Sequence, residues 1–176
     1  MLKQITAKNK NIILDLKYST KQNFVKQKLY KKSLCYLHED AYSLLIKASK
    51  IAQNFKLKLR IFDAFRPLAV QKLLFSLDQD FVSNPNTGSI PHCRGIAVDL
   101  TLTDQNNNDL DMGTEFDHFS KLAYHGNRDI ALQAQKNRLL LLAIMTEAGW
   151  DFYRNEWWHY QLFNPRTYPV IEDFNL

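Results

Sequence analysis

The chain has 176 residues, of which 45% are hydrophobic, so it is long enough for one domain with a real core and too short for two. Charged residues make up 23% of the sequence, and no segment is biased enough in composition to indicate disorder or a repeat array. These numbers exclude a fibrous, repetitive or disordered protein, and we expect a single domain over residues 1–176.

The N-terminal segment has lysines scattered through it and only a short apolar run at residues 12–14. Such a run supplies neither a signal-peptide core nor a membrane span, so we expect a cytoplasmic protein without a membrane partner. The two cysteines, Cys35 and Cys93, are too few for a disulfide framework and lack the spacing of a zinc knuckle. We expect both thiols to be buried or idle.

The net charge of +5 is unevenly distributed along the chain. The first 32 residues hold nine lysines and one acid, Asp15. This excess could favour a polyanion such as nucleic acid. Because no arginine cluster or pattern of stacking aromatics accompanies the lysines, a solvated surface is the better interpretation, and we expect no nucleic-acid partner.

The first half of the chain contains a clear helix, a strand and a second helix. Apolar residues recur at helical spacing from His38 to Phe55, which predicts a helix with one buried face. Residues 57–62 alternate like a half-buried strand. Pro67 is well placed as the first residue of a helix over 67–78, so Arg66 is predicted at a strand-to-helix junction.

The second half begins with a loop at 83–89 and a strand at 96–103. In that strand the even-numbered residues are apolar, so Asp99 is predicted to point away from the apolar face. After a turn come a helix over 127–149, with Gly149 as its C-cap, and a C-terminal hairpin. The predicted hairpin comprises strands at 150–153 and 157–163, joined by a turn at 154–155. Helices and antiparallel strands without a βαβ rhythm predict an α+β fold, an antiparallel sheet flanked by helices.

Three residues distant in sequence form a candidate metal site. Catalytic zinc takes three side-chain ligands and leaves a position open for water, and His92, Asp99 and His159 could supply such a set. His92 lies in the loop before the strand that contains Asp99. A turn at Arg94 and Gly95 would fold the imidazole back toward the carboxylate, at little steric cost because of the glycine.

Two further residues have the chemistry that such a site needs. Glu156 lies three residues before His159, and a carboxylate near an activated water can accept its proton. Residues three apart in a regular strand face opposite ways, whereas in a turn entering the strand both can face one cleft. Arg66 is a candidate for holding a developing oxyanion or a substrate carboxylate, because its charged guanidinium forks to two oxygens.

Each residue also has a simpler interpretation. Taken singly, His92 could be a surface-loop histidine, Asp99 a hydrogen-bonded aspartate in a sheet, and Arg66 a structural ion-pair residue. His118 and His125 also stand seven apart and could compete as ligands, but their segment has a looser pattern and we expect supporting or surface groups. The adjacent residues Trp157 and Trp158 are expected in the core and the pocket wall.

Six segments between about Asp15 and Phe163 form an ordered set of motifs. They are DLKYSTKQNF (15–24), DAFRP (63–67), HCRGIAVDLTL (92–102), MGTEFD (112–117), a helix ending in NRLLLLAIMTEAGW (137–150) and EWWHY (156–160). This set resembles the D-alanyl-D-alanine dipeptidases of the VanX type, in the zinc DD-peptidase family (peptidase family M15). The resemblance implies a zinc DD-peptidase/Hedgehog-type fold.

The resemblance also implies a role for each residue of the constellation. His92, Asp99 and His159 would bind one Zn²⁺ per chain, Glu156 would be the general base, and Arg66 would stabilise the tetrahedral transition state. The implied activity is hydrolysis of the D-alanyl-D-alanine dipeptide by metal-activated water, with a small dipeptide as the partner.

The resemblance further suggests residues that contact the substrate. Asp117 would meet the substrate ammonium, and Tyr18 and Asp63 would line or brace the pocket. Family members often have a serine two positions before the first histidine ligand, whereas this chain has Ile90 there and Ser89 one position earlier. Ser89 is therefore a substrate-binding candidate only if the loop adjusts.

Two alternatives to the dipeptidase stay open at the level of sequence. The first is a related zinc carboxypeptidase or L,D-peptidase that acts on cell-wall peptides. The second, of a different class, is a polyanion-binding module that uses the lysine-rich N-terminal segment and keeps a metal for structure.

Overall fold

A computed structural model describes residues 1–6, 8–172 and 174, and these residues form three α-helices, seven β-strands and a few short 3₁₀ turns. The strands are β1 (Leu2–Ile5), β2 (Ile12–Leu14), β3 (Cys35–His38), β4 (Lys58–Asp63), β5 (Ala97–Thr103), β6 (Asp151–Phe152) and β7 (His159–Gln161). The helices are α1 (Glu39–Asn54), α2 (Leu68–Leu77) and α3 (Leu132–Ala148). Among the described residues, no helix combines the length and apolar character that a bilayer span requires.

The strands form two sheets, and the prediction of an antiparallel sheet is only partly right. The main sheet has the order β2-β4-β5-β7-β6, and a second sheet pairs β1 with β3. In the main sheet β4, β5, β7 and β6 are antiparallel to their neighbours, but β2 runs parallel to β4. Parallel pairing needs a long crossover connection, and the chain between β2 and β4 supplies it with β3 and α1.

The core lies between the main sheet and the helices α1 and α3. All seven residues of β5, the central strand, are buried. Its even-numbered side chains, Val98, Leu100 and Leu102, belong to the same apolar cluster as Leu45 of α1 and Leu141 of α3. The opposite face of β5 is therefore free to present Asp99 to a site, as the alternation predicts.

The predicted helices are present, with shifted starts. The helix predicted from residue 127 begins at Leu132, because the Asn127 side chain accepts a hydrogen bond from the Asp129 amide (2.8 Å) and forms a turn instead. Pro67 precedes α2 as its N-cap and is not its first residue. Gly149 ends α3 with φ of 109°, as predicted.

The C-terminal hairpin is shorter than predicted. Only β6 and β7 pair, so the strand predicted from Trp157 begins at His159. The Trp157 amide donates to the Ala123 carbonyl (3.0 Å) and not to β6, which keeps residues 153–158 as a loop in front of β7. This loop contains Glu156.

A buried arginine attaches the long loop between β5 and α3 to α3. Arg138 is 4% exposed, and its guanidinium donates to the carbonyl oxygens of Met112 (2.6 Å), Leu122 (2.8 Å) and Tyr124 (3.1 Å). These three bonds fix both ends of the segment that contains Asp117. Arg138 thereby holds the loop that contains Asp117 against α3.

Candidate active site

The three predicted ligand residues come together on one face of the main sheet. Asp99 of β5 and His159 of β7 are direct cross-strand partners, so their side chains lie side by side. His92 lies in a 3₁₀ turn, Pro91–Arg94, which ends at Gly95 with φ of 68°. A Cβ on Gly95 would also lie 2.7 Å from the Leu2 side chain, so this reversal requires glycine.

The donor atoms of these residues converge at hydrogen-bonding distance. His159 Nδ1 lies 3.0 Å from Asp99 Oδ1 and 3.2 Å from His92 Nε2, and His92 Nε2 lies 3.2 Å from Asp99 Oδ2. All three residues are buried. Across residues 1–6, 8–172 and 174, this is the one group of three histidine, cysteine or acidic residues whose ligand atoms lie within 4.8 Å of one another.

The hydrogen bonds behind the imidazoles fix which nitrogen faces the site. His92 Nδ1 lies 2.6 Å from the Ala64 carbonyl oxygen, and His159 Nε2 lies 3.2 Å from Gln161 Oε1. Each of these ring nitrogens can therefore donate a proton outward, so that His92 Nε2 and His159 Nδ1 are the nitrogens available to a metal in the space they share with Asp99. Two imidazole nitrogens and a carboxylate form a ligand set that fits a divalent transition metal such as zinc. The acceptor behind each ring would hold the imidazole in place.

The charges of the site are strongly coupled. Burial disfavours the charge of Asp99, but the neighbouring imidazoles of His92 and His159 hold the pKa of its carboxyl well below the usual range. Burial likewise disfavours a charged His159, and the hydrogen bond to Asp99 and its charge nevertheless raise the pKa of this imidazole. Asp99 is thus an anion at neutral pH, and it stabilises positive charge between the rings.

Arg66 lies at the predicted junction between β4 and α2, with its guanidinium directed into the site. Its Nε and one terminal nitrogen contact Asp63 Oδ2 at 2.9 and 2.8 Å, and the other terminal nitrogen donates to Gln71 Oε1 at 2.9 Å. The group lies 5.2 Å from the centre of the Tyr18 ring and 3.7 Å from Asp99 Oδ2. Burial lowers the pKa of Arg66, but the charge of Asp63 more than offsets this effect.

Asp63 lies behind the wall of the site and braces Arg66. It is completely buried, and its second oxygen accepts a 2.6 Å hydrogen bond from the Tyr30 hydroxyl. All the strong contacts of this carboxylate are therefore made within the protein. Of the two roles that the sequence left open for Asp63, the geometry favours bracing.

Glu156 lies in the loop before β7 and faces the same cleft as His159. Its Oε2 is 3.9 Å from His159 Nδ1, and its side chain is 19% exposed. The turn between Tyr153 and Glu156, closed by a 3.2 Å backbone hydrogen bond, gives the arrangement that a regular strand would forbid. Burial raises the pKa of Glu156 to about 7, although the charge of His159 lowers it.

Asp117 and Tyr18 form a pair on the opposite wall. The Tyr18 hydroxyl donates to Asp117 Oδ2 at 3.0 Å, and Asp117 has a left-handed backbone with φ of 59°. Burial and then the charge of Asp99 raise the pKa of Asp117 well above its usual value. A bound cation beside this carboxyl would favour its ionised form.

Ser89 borders the cavity, next to the position where family members often have serine. Its carbonyl oxygen accepts a hydrogen bond from Arg94 Nε (2.7 Å), and Ser89 itself is partly exposed. Ile90 also borders the cavity and is buried, with φ of 39°, a value that β-branched residues rarely adopt. The serine at position 89 thus reaches the cavity wall through an unusual backbone conformation at position 90.

The cavity enclosed by these side chains has a volume of about 200 Å³. It is smaller than the range of roughly 300–1,000 Å³ that holds drug-sized ligands. The candidate residues that border it are Tyr18, Arg66, Ser89, His92, Asp99, Asp117, Glu156 and His159. The site is therefore dimensioned for a small, polar ligand.

A comparison of the sequence with protein families gives a match that covers almost the whole chain. The family model described as D-ala-D-ala dipeptidase, peptidase family M15, matches residues 2–174. The chain belongs to this family. The resemblance seen in the sequence motifs is thus confirmed, and family membership supports a peptidase.

Individual members of the dipeptidase family show the same relationship. The chain is 40% identical to a D-alanyl-D-alanine dipeptidase of Escherichia coli (strain K12) over 162 residues, which cover 91% of this chain and 83% of the relative. It is 28% identical over 170 residues to a D-alanyl-D-alanine dipeptidase of Enterococcus faecium, with 84% of each chain covered.

Several side chains that support the site lie outside the motifs and the predicted site residues. Gln161 follows His159 by two positions in a strand, so alternation alone would place both on one face. Gln71 is a polar residue among the buried positions of α2, which is itself a signal. Tyr30 lies in irregular chain, where no periodicity indicates its contact with Asp63.

The remaining predicted side chains lie outside the metal-ligand group. Trp158 is buried and borders the cavity, whereas Trp157 is buried and donates its indole N–H to Thr114 Oγ1 (2.8 Å). His118 is exposed, and His125 packs edge-on against aromatic rings of the hairpin. Cys93 is fully buried, and burial raises the pKa of its thiol to about 11, which disfavours the reactive thiolate at neutral pH.

His125 is expected to make the stability of the fold depend on pH. Burial, followed by the charge of Arg138, lowers the pKa of this imidazole to about 4, compared with an ordinary value of about 6.5. Between these values the unfolded chain binds the proton more readily, so stability is lost as the pH falls. When the pH falls from 7 to 4.5, the free energy of unfolding should decrease in both proteins. We expect this decrease to be about 2 kcal/mol smaller in His125→Gln than in the wild type.

The measurement is urea unfolding at both pH values with a chelator present, so that bound metal does not contribute. His118→Gln is the matched control, because His118 is exposed. The interpretation fails if the wild type and His125→Gln lose the same free energy on acidification.

Proposed function

We propose that the chain is a zinc-dependent D-alanyl-D-alanine dipeptidase, acting within a single domain and in the cytoplasm. The observation that carries this proposal is the convergence of His92, Asp99 and His159 within 4.8 Å, with Glu156 facing the same space. Relatives named D-alanyl-D-alanine dipeptidase support the choice of substrate.

His92 Nε2, His159 Nδ1 and a carboxylate oxygen of Asp99 would hold one Zn²⁺. When bound, zinc supplies a Lewis acid that lowers the pKa of water and polarises a carbonyl group. The Ala64 carbonyl and Gln161 keep the two rings in the tautomers that this role needs.

Glu156 is proposed as the general base. Its carboxylate lies beside His159 Nδ1, and its pKa of about 7 suits proton transfer near neutral pH. In the ionised form it accepts a proton from the attacking water. In the second half of the reaction it donates that proton to the leaving amine nitrogen.

Arg66 is proposed to stabilise the transition state. Its guanidinium borders the cavity and is fixed by Asp63 and Gln71, so little reorganisation is needed when negative charge develops on the carbonyl oxygen. A fixed, permanently charged donor in a buried site is worth more than the same contact in water.

The substrate termini would be bound on opposite sides of the reacting carbonyl. Asp117 is proposed to meet the substrate ammonium, with Tyr18 holding the carboxylate by its 3.0 Å hydrogen bond. Ser89 is proposed to contribute a polar contact from the loop before His92. A cavity of about 200 Å³ favours this dipeptide over the longer substrates of a carboxypeptidase or L,D-peptidase.

A test with two stereoisomers and a chelator addresses both metal and substrate. The purified protein is incubated with D-Ala-D-Ala or L-Ala-L-Ala before and after chelation, and free alanine is measured. We expect alanine only from D-Ala-D-Ala, its loss on chelation and its return with added zinc. Equal hydrolysis of both isomers, or turnover that survives complete removal of metal, would contradict the proposal.

A further inference from the structure

Two cavities adjoin at the site, and the wall between them includes two phenylalanine rings. The first is the 200 Å³ cavity that holds the candidate metal ligands, and the second has a volume of about 60 Å³. The residues that border both cavities are Phe81, Phe119, Tyr153, Glu156 and Trp158. The ring centroids of Phe81 and Phe119 lie 5.0 Å apart and their planes differ by 18°, so the rings are stacked.

The two rings come from separate segments of the chain. Phe81 follows α2, and its amide donates to Asp78 Oδ1 (3.1 Å), which fixes the backbone where the ring departs. The same loop is held by Gln71, whose Nε2 donates to the Ser83 carbonyl oxygen at 2.7 Å. The two stacked rings thus meet where the loop after α2 contacts the loop between β5 and α3.

The two rings differ in how firmly they are supported. Phe24 packs edge-on against Phe119, with centroids 5.0 Å apart. Phe81 is 41% exposed and stacks on Phe119. Removing the ring of Phe81 would therefore open the wall with little loss of core packing.

The location of the wall indicates which end of a substrate it limits. Asp117, the proposed contact of the substrate ammonium, borders the first cavity two positions before Phe119. The second cavity is bordered by His118 and Ser120, the immediate neighbours of Phe119. With the substrate ammonium at Asp117, an extension at the amino end would lie toward the rings of Phe81 and Phe119, whereas an extension at the carboxyl end would lie on the other side of the reacting carbonyl.

We propose that the stacked rings of Phe81 and Phe119 set the length limit of the substrate by closing the site beyond its amino terminus. This inference rests on the proposed dipeptidase function. Without the Phe81 ring, the 60 Å³ cavity becomes continuous with the site and accepts one additional small residue.

The test compares Phe81→Ala and Phe119→Ala with the wild type on three peptides. These are D-Ala-D-Ala, the amino-extended Gly-D-Ala-D-Ala and the carboxyl-extended D-Ala-D-Ala-Gly. We expect Phe81→Ala to raise kcat/KM for the amino-extended peptide, relative to D-Ala-D-Ala, by about tenfold or more. The corresponding ratio for the carboxyl-extended peptide is expected to stay within about twofold of the wild-type value, on the scale set by tenfold per 1.4 kcal/mol.

Phe163→Ala is the matched control, because Phe163 is an exposed phenylalanine that borders neither cavity. Its peptide ratios should equal those of the wild type. If Phe119→Ala fails to fold, Phe81→Ala still decides the question, because the Phe81 ring is partly exposed.

The outcomes separate this proposal from the function on which it rests. Wild-type hydrolysis of D-Ala-D-Ala combined with unchanged ratios in Phe81→Ala overturns the length limit and leaves the dipeptidase function intact. An equal rise for both extended peptides also overturns it, because the wall would then not be directional. A zinc-loaded wild type that does not cleave D-Ala-D-Ala overturns the proposed function itself.

Discussion

Replacing Glu156 with glutamine is expected to lower kcat for D-Ala-D-Ala by about 10²- to 10⁴-fold, the range found when a general base is removed. The amide keeps the size of the side chain but cannot accept a proton from water. Because Glu156 lies 3.9 Å from His159 Nδ1 and outside the three-residue donor group, zinc content should not change. Steady-state kinetics with metal analysis of the same sample measures both quantities.

Glu147→Gln is the matched control for this substitution. Glu147 is exposed near the end of α3 and outside the cavity, so its amide variant should keep the wild-type kcat. The assignment of Glu156 as base would be wrong if Glu156→Gln retained full turnover. A loss of zinc together with activity would instead make Glu156 a ligand.

Replacing His159 with alanine is expected to abolish both zinc binding and hydrolysis. The substitution removes Nδ1, which lies 3.2 Å from His92 Nε2 and 3.0 Å from Asp99 Oδ1, and leaves two of the three donors. A catalytic zinc site needs three protein ligands. Metal content after gel filtration and the rate of alanine release are the two measurements.

Two further substitutions should have smaller effects on zinc affinity than His159→Ala. Gln161→Ala removes only the acceptor behind His159 Nε2, and outer partners of this kind typically contribute about 10- to 100-fold to metal affinity. His118→Ala removes an exposed histidine and should change nothing. A His159→Ala protein that still holds one zinc per chain would show that the metal lies elsewhere.

The sequence was most informative where a local pattern coincides with the final geometry. The alternation in residues 96–103 is enough to place Asp99 opposite the apolar face, and the structure has it there. The start of α3 was predicted five residues early because helix periodicity does not register a side chain such as Asn127 that caps its own turn.

Contacts between distant segments could not be read from the sequence. The pairing of Asp99 with His159 depends on the register of β5 against β7, which tertiary packing sets. The strands β1, β2 and β3 have at most four residues each, too few for a periodic signal. The parallel alignment of β2 likewise follows from the path of the chain and not from its own three residues.

For Arg66, too, the position in the chain could be predicted from the sequence but the contacts could not. Its place between a strand and a helix was predicted, since Pro67 marks the junction. Its partners Asp63, Tyr30 and Gln71 meet only in the folded chain. These contacts favour a bracing role for Asp63 over a substrate contact, and neither residue type nor spacing distinguishes the two roles.

The left-handed backbone at Ile90 and Asp117 has a consequence for attempts to make this protein withstand heat. Each such residue costs on the order of 1–3 kcal/mol, and the two lie in different segments that border the same cavity. Glycine at Asp117 would relieve that cost and would also loosen the loop that shapes the pocket, whereas at the buried Ile90 the lost packing of the side chain, about 2–5 kcal/mol, would outweigh the gain. Selection for thermal tolerance alone is therefore expected to favour changes at Asp117, at the expense of turnover.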